Sequence, residues 1–331
     1  MLLHRSAAAL SGYAARRVAF AAATVLVAVS LNFALFRLLP GDAVTGLRCQ
    51  SCTPQFQAAM RAELGLDEPA WRQYTIYVER LARGDLGTSL TTNEPVWTAI
   101  KRPLLNTLPM AALGTALAIV AGILLGAIAA WRAGRTSDRL ATGAALLGYS
   151  APAQWIGLLL SAYVAGAVGL PTSGIGDPEL AILGDPSWTA VLADRVRHLI
   201  LPALTLALGL CGSYVLLTRS ALLDTLSEDY VLTARGKGLR DWGIVWRHGL
   251  PNAAVPLATM IALSAGYVVA GAIVVEQVFS YPGIGLATLD AIERRDWPVL
   301  QGIFLTLTVA VVLANLVVDL LYRRLDPRIT R

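Results

Sequence analysis

The chain has 331 residues, of which 56% are hydrophobic and 15% are charged, and its mean hydropathy is +0.59. Soluble domains carry roughly 25% charged residues, so this composition excludes a soluble globular protein and predicts an integral membrane protein. The net charge is +5, but the basic residues concentrate at the ends of apolar segments, so the charge does not indicate nucleic-acid binding.

Six apolar segments reach the length of roughly 17–25 residues that is needed to cross the hydrocarbon core of a bilayer. We therefore predict an all-α membrane protein with six transmembrane helices. Pro152 should kink the third span. The first span is long and lacks a small-residue cleavage site, so we expect an anchor and not a removed signal peptide. The predicted spans are residues 18–39, 104–130, 140–168, 199–217, 253–275 and 299–321.

The charges of the connecting segments predict the orientation. With the N-terminus inside, the inner segments carry a net charge of +9 and the outer segments a net charge of −4. The positive-inside rule then places both termini in the cytoplasm. This divides the chain into a cytoplasmic segment 1–17, a first span 18–39, an outer loop 40–103, and a core 104–330 that contains spans two to six.

The first outer loop, 40–103, is too long to be a plain connector. Its pattern predicts helices over 54–64 and 71–81, followed by turns in RGDLGTSL (83–90). The loop is either a small helical cap on the outer face or a docking surface for a soluble partner.

Cysteine use is sparse. Cys49 and Cys52 form a CxxC in the outer loop, where an oxidising environment favours a local disulfide. A thioredoxin-like site would need a strand–helix context that is missing, and a metal site would need further ligands. Cys211, in the fourth span, is interpreted as a small apolar packing residue.

The most informative segment is 229–256, DYVLTARGKGLRDWGIVWRHGLPNAAVP, which lies between two predicted spans. Ser227 is expected to cap a helix of about ten residues, because Glu228 and Asp229 follow in the first turn, where the helix dipole favours acids. Arg235 and Lys237 lie in its last turn, and Gly238 predicts a left-handed stop. Helical spacing places four residues on one compact face that would fit a groove on a partner: Tyr230, Thr233, Ala234 and Lys237.

A second short helix is predicted after Asp241, with Trp242, Val245, Trp246 and Gly249 on one stripe suited to the membrane interface. An interfacial loop without a partner is the alternative interpretation of the whole segment. GKG at 236–238 is not a phosphate loop, because the preceding strand and the remaining glycines are missing.

The predicted spans place no acidic residue at the middle of the bilayer, where an ion-driven carrier usually needs one. The three histidines form no HExxH motif, and no Ser/His/Asp set can be placed on one side of the membrane, so we do not expect an enzyme. Energy is therefore expected to come from another subunit.

Several motifs, taken together and in order, resemble the permease subunits of bacterial ABC importers for di- and oligopeptides and nickel. They run over nearly the whole chain: LLPGD (38–42), LGLDEP (64–69), RGDLGTS (83–89), NTL (106–108), YVLTARGKGL (230–239), EQVFSYPGIG (276–285), RDWPVLQG (295–302) and NLVVDLLYRRLDPRI (315–329).

The resemblance implies the type I permease fold of ABC importers and a coupling helix within the loop 224–252. That helix contacts an ATPase subunit in the family, and the positions carried over to this chain are Glu228, Asp229, Tyr230, Thr233, Ala234, Arg235, Lys237, Gly238 and Leu239. Leu232 stands at a usually acidic position of the motif, His248 at a usually apolar one, and Gly236 where Ala is common.

The implied partners are a second, homologous permease, two ATP-binding subunits, which are the same or different, and an extracytoplasmic substrate-binding protein. ATP and Mg²⁺ would bind the ATPases, so no cofactor is expected on this chain. Asp67, Arg83 and Asp85 of the outer loop are expected to help dock the binding protein. The implied location is the bacterial inner membrane. Import of nickel, glutathione or another small solute is the first alternative to peptide import. An ion-driven carrier or channel and a membrane-anchored assembly protein are further alternatives.

Overall fold

The computed structural model describes residues 2–38, 67–182 and 187–325, and nearly all of them are helical. The helices are α1 (Leu2–Leu38), α2 (Ala70–Ala82), α3 (Val96–Trp131), α4 (Thr136–Ser150), α5 (Ala153–Leu159), π1 (Leu160–Ala165), α6 (Gly166–Val168), α7 (Pro178–Ile182), α8 (Trp188–Leu226), α9 (Asp229–Gly236), α10 (Asp241–Ile244), π2 (Val245–Gly249), α11 (Leu250–Val278), α12 (Ile284–Glu293) and α13 (Trp297–Leu325).

Within these residues, four helices are long and apolar enough to cross a membrane: Ala15–Arg37 of α1, all of α3 and α8, and Trp297–Val317 of α13. They correspond to the predicted first, second, fourth and sixth spans. A bent pair, Thr136–Ser150 with Ala153–Val168, would make a fifth. The helix α11 covers the predicted fifth span, 253–275. Several helices extend beyond the predicted limits. The predicted limits enclose only apolar residues, whereas a helix can continue through polar residues outside the bilayer.

The third predicted span is broken, whereas the sequence predicts only a kink. α4 ends at Ser150, α5 begins at Ala153, and the two directions differ by 106°. Ala151 and Pro152 both have extended backbone angles, with ψ of 132° and 135°. A proline disfavours helical geometry at the preceding residue and cannot donate to the helix itself, so two successive extended residues turn the chain sharply.

The chain divides into two compact units, Met1–Leu105 with Leu286–Arg324, and Asn106–Gly285 with Leu325–Arg331. In the first unit, α2 packs on α1. The ring of Phe33 lies 5.4 Å from that of Tyr74 and 5.6 Å from that of Tyr77. The Tyr77 hydroxyl accepts a hydrogen bond from Asn32 Nδ2 (3.3 Å), and burial raises the pKa of Tyr77 to about 12. α2 also agrees with the helix predicted over 71–81.

A buried carboxylate joins two distant motifs of the first unit. Asp296 precedes α13 and is only 2% exposed. Its carboxylate accepts hydrogen bonds from the hydroxyls of Ser89 (2.5 Å) and Thr91 (2.7 Å) and from the backbone N–H of Leu90 (3.2 Å) and of Val299 (3.4 Å). RGDLGTSL and RDWPVLQG, more than 200 residues apart in the chain, therefore form one structure.

A second buried carboxylate organises the second unit. Glu276, assigned from sequence to the start of an outer loop, instead lies in the last turn of α11 and is fully buried. It accepts hydrogen bonds from Thr107 Oγ1 (2.5 Å) and from the N–H of Gly285 (2.7 Å), while Thr107 Oγ1 accepts from the N–H of Ile284 (2.8 Å). Asn106 Nδ2 donates to the carbonyl of Pro282 (2.7 Å). NTL and EQVFSYPGIG are thus parts of one polar network.

We predict that Gly283→Ala destabilises the protein by about 1–3 kcal/mol, because a Cβ at this position would overlap the Glu276 carboxyl group. The midpoint of thermal unfolding in detergent would measure the loss. Gly209→Ala is the matched control, since a Cβ there meets no atom of the described residues within 4 Å. Equal midpoints for the two variants would contradict the prediction.

Candidate functional site

The segment between α8 and α11 forms two short helical pieces. α9 begins at Asp229, after Glu228 in extended conformation (φ −74°, ψ 147°). The prediction that Ser227 caps this helix is wrong, because Ser227 is the C-terminal cap of α8 and its hydroxyl donates to the carbonyl of Asp224 (2.7 Å). The helix α8 continues further than the hydropathy indicates, so α9 begins later and has eight residues where about ten were predicted.

The end of α9 follows the sequence prediction. Gly238 has φ +76°, in the left-handed region. Its N–H donates to the carbonyl of Arg235 (2.9 Å), and the N–H of Leu239 donates to the carbonyl of Ala234 (3.3 Å). These two bonds form a Schellman motif, which satisfies the last carbonyls of the helix and turns the chain toward α10.

The buried side of α9 differs from the prediction. Ala234 was placed at the middle of a partner-facing surface, but it is 6% exposed and packs with Val231, Ile244 and Leu226. Tyr230, Thr233 and Lys237 are exposed as predicted. In a helix this short, Val231 and Ala234 (i, i+3) are enough to form the inner side, and an alanine carries no signal that tells inside from outside.

The exposed side of α9 combines an apolar centre with basic residues. Leu232 is 63% exposed, and three exposed basic residues follow it in the sequence: Arg235 in α9, Lys237 at its C-terminal cap, and Arg240 beyond it. We call this the α9 outer surface. The remaining exposed members of the predicted set are Glu228, Asp229, Tyr230, Thr233, Gly238 and Leu239. Such a surface can bind a partner that offers an apolar socket with acidic groups at its edge.

The second helical piece is continuous with α11. The carbonyl of Arg240 accepts the first helical bond, from the N–H of Ile244, so the N-terminal cap is Arg240, one residue before the predicted cap, and Asp241 is the first residue of α10. The predicted stripe divides into two sides. Trp242 and Trp246 are 44% and 37% exposed, with their rings 6.0 Å apart, whereas Val245 is buried in a cluster with Leu222.

An ion pair supports the same end of α8. The guanidinium of Arg219 binds the carboxylate of Asp138 through two bonds, of 2.6 and 2.8 Å. Asp138 also accepts from the N–H of Gly134 (2.8 Å) and from Thr142 Oγ1 (3.2 Å), and it is 4% exposed. This bidentate pair fixes the turn between α3 and α4 against α8.

The residues predicted to dock a binding protein do not form one cluster. Asp67 precedes α2, whereas Arg83 and Asp85 follow it, and a helix of this length separates its ends by about 20 Å. Arg83 pairs with Glu79 (2.5 Å), and Asp85 Oδ1 accepts from the N–H of Gly87 (2.8 Å), so these two side chains also serve the local turn. Cys49 and Cys52 lie outside the described residues. Within 2–38, 67–182 and 187–325, no group of three His, Cys, Asp or Glu could hold a metal ion.

Comparison with known proteins identifies the class. Residues 122–331 match the family described as binding-protein-dependent transport system inner membrane component, and residues 11–111 match its N-terminal region. The structure resembles the inward-facing MetNI methionine ABC transporter with a TM-score of 0.53 and 15% identity, over 69% of this chain and 96% of that one, which supports the fold. The chain belongs to the family of inner membrane components of binding-protein-dependent transport systems, and is thus a multi-pass ABC transporter permease, a transport subunit and not itself an enzyme.

Curated relatives match nearly the full length. The chain is 40% identical to the di/tripeptide transport system permease protein DppB of Pseudomonas aeruginosa, over 96% of this chain and 98% of that protein. It is 37% identical to the dipeptide permease DppB of Escherichia coli K12, over 95% and 97%. It is also 37% identical to the glutathione transport system permease protein GsiC of Salmonella typhimurium, over 96% and 98%.

Sequence reasoning missed three residues that organise the structure: Asp138, Arg219 and Glu276. Each lies at the end of an apolar segment, where a polar residue looks solvent-exposed. Glu276 shares the motif EQVFSYPGIG with Gly283 and Gly285. An acidic residue in the same motif as these glycines was the signal that could have indicated burial.

We predict that Arg219→Ala lowers the free energy of unfolding by about 3 kcal/mol, because it leaves the Asp138 carboxylate buried without its cation. The double variant Asp138→Asn/Arg219→Ala should recover part of this loss, since no uncompensated charge remains. Thermal or denaturant unfolding in detergent measures both. A double variant that is less stable than Arg219→Ala would argue against the ion pair.

Proposed function

We propose that this chain is one of two membrane subunits of an ATP-driven importer for di- or oligopeptides in the bacterial inner membrane. The observation that carries the proposal is the near full-length similarity, at 37–40% identity, to permeases named for dipeptides and di/tripeptides. In this proposal the chain has six transmembrane helices and cytoplasmic termini. α11 and the bent pair of α4 with α5 provide two of the six spans.

The coupling site of the proposal is the α9 outer surface. A soluble ATPase that pushes on a permease needs a structured element outside the bilayer, and α9 is held by the buried Val231, Ala234 and Ile244. Its exposed Leu232, with the exposed basic residues beside it, would contact an apolar socket with acidic groups at its edge on the ATPase. Closure of two ATPases on ATP would then displace α9 in both permeases and shift the spans between inward-open and outward-open states.

The remaining parts of the importer follow from the family. A second, homologous permease completes the pathway, two ATPase subunits bind ATP and Mg²⁺, and an extracytoplasmic binding protein delivers the substrate. Asp67, Arg83 and Asp85 remain proposed contacts of that binding protein, at two separate places on the outer loop. Cys49–Cys52 remains a proposed disulfide.

Glutathione is the second candidate substrate, because a glutathione permease is as similar to this chain as the E. coli dipeptide permease, at 37% identity. Glutathione is itself a tripeptide, so both substrates suit one cavity chemistry. Competition between labelled dialanine and unlabelled glutathione for uptake distinguishes them. Inhibition by glutathione at concentrations similar to those of dialanine would favour the second candidate.

The proposed function is tested by purifying the tagged chain from its native membranes in mild detergent and identifying its partners by mass spectrometry. Recovery of a second permease and of ATPase subunits, followed by ATP-dependent dialanine uptake in proteoliposomes, is the expected result. Recovery of the chain alone, from cells that express the ATPases, together with solute flux without ATP, would favour a channel or carrier.

We predict that Gly238→Val uncouples ATP hydrolysis from uptake. A β-branched residue at φ +76° costs about 1–2 kcal/mol, so the Schellman turn should give way and the end of α9 should move. Peptide imported per ATP hydrolysed should fall several-fold. Gly236→Ala is the control, because Gly236 lies two residues away in helical conformation. An unchanged ratio for Gly238→Val would count against α9 as the coupling element.

A further inference from the structure

One hydrogen bond connects α9 directly to the first turn of α11. The Nδ2 of Asn252 donates to the hydroxyl of Tyr230 over 3.0 Å, and it also donates to the backbone carbonyl of His248 over 2.8 Å. The same amide group therefore contacts a side chain of α9 and a carbonyl of π2. Tyr230 stands at the start of α9, and Asn252 stands three residues after Gly249, the last residue of π2.

The apolar contacts of α9 reach other elements. Val231 and Ala234 pack with Ile244 of α10 and Leu226 of α8. This cluster fixes α9 to the end of α8 and to α10. The base of α11 is anchored through Ala253, in a cluster that includes Leu222 and Ala127. Leu226 of α8 packs against both clusters, so α9 and the base of α11 share an apolar support, and Tyr230–Asn252 adds a polar, directional contact between them.

The helix is irregular just before Asn252, in π2. In π2 the N–H of Leu250 donates to the carbonyl of Val245, five residues back, and Pro251 has no N–H to continue the pattern. A π segment widens the helix by one residue and is a place where a helix can adjust its register or direction. Through its second bond, to the carbonyl of His248, the Asn252 amide is also attached to the π2 turn.

We propose that the Tyr230–Asn252 hydrogen bond is the joint through which displacement of α9 moves the loop end of α11. Tyr230 and Asn252 act as positioning residues, because the bond directs the pull of α9 onto the π2 turn. This inference rests on the proposed function, since it assumes that a partner displaces α9.

A bond that only stabilised the fold would lower the thermal stability when it is removed, whereas the proposed joint should not. Tyr230 is 38% exposed and Asn252 is also exposed, so water can replace either partner when the bond is lost. Deleting it should leave assembly and thermal stability near the wild-type values. Its loss should appear in the transfer of motion, measured as ATP hydrolysed per peptide imported.

The test uses the complete importer, purified with its own partner subunits and reconstituted in proteoliposomes, with tritiated dialanine as the probe. Three variants are compared with wild type: Tyr230→Phe, Asn252→Ala and the double variant. Each single change should raise the ATP hydrolysed per dialanine several-fold, because α9 can then move without displacing the π2 turn. The double variant should show the same rise as the single variants, because both remove one bond.

Tyr230→Phe is the decisive variant, because it removes one oxygen atom and leaves the Asn252–His248 bond intact even where Asn252→Ala fails to assemble. Tyr163→Phe is the matched control, since Tyr163 is 74% exposed on π1 and should keep the wild-type ratio. A wild-type ratio for Tyr230→Phe, or a double variant whose effect is the product of the single effects, would overturn the inference. Failure of the wild-type complex to import dialanine with ATP would instead refute the proposed function.

Discussion

The burial of a carboxylate at Glu276 is the constraint on which the second unit depends. A charged group removed from water is costly unless hydrogen bonds replace the lost hydration. Here the donors come from Thr107 in α3 and from the backbone at the start of α12, so three segments must meet in one arrangement. Gly283 and Gly285 are required for the same reason, because a Cβ at either position would overlap Glu276 or Ile273.

Two other buried carboxylates are stabilised by hydrogen bonds in the same way. Asp296 joins the turn at 89–91 to the start of α13 in the first unit, and Asp138 joins the α3–α4 turn to α8 in the second. In each case an acid near the end of a helix accepts a hydrogen bond from a residue that is distant in sequence. Apolar contacts between helices in lipid define direction only loosely, since lipid competes for the same surfaces. These polar contacts require particular partners, so they set the register of the helices.

The sequence predicts the features that depend on local chemistry. Apolar length locates the spans, and Gly238 marks the end of α9 because few other residues accept its backbone angles. Features that depend on neighbours are missed. Ala234 suits either side of a helix, and only packing against Ile244 decides it. Glu276 looks like a loop residue until Thr107 is brought to it. Pro152 predicts a kink, but the 106° break also requires Ala151 to be extended, which no pattern in the sequence states.

The two ends of α11 are held in different ways, and this difference gives the proposed coupling a direction. At one end Glu276 is locked by buried hydrogen bonds to α3 and the α12 start. At the other end π2 and Pro251 interrupt the regular helix, and an exposed bond ties Asn252 to α9. The ends of a helix of 29 residues are about 43 Å apart. A force applied at α9 would therefore move the π2 end of α11 most and leave the Glu276 end, which is held by buried hydrogen bonds, almost in place.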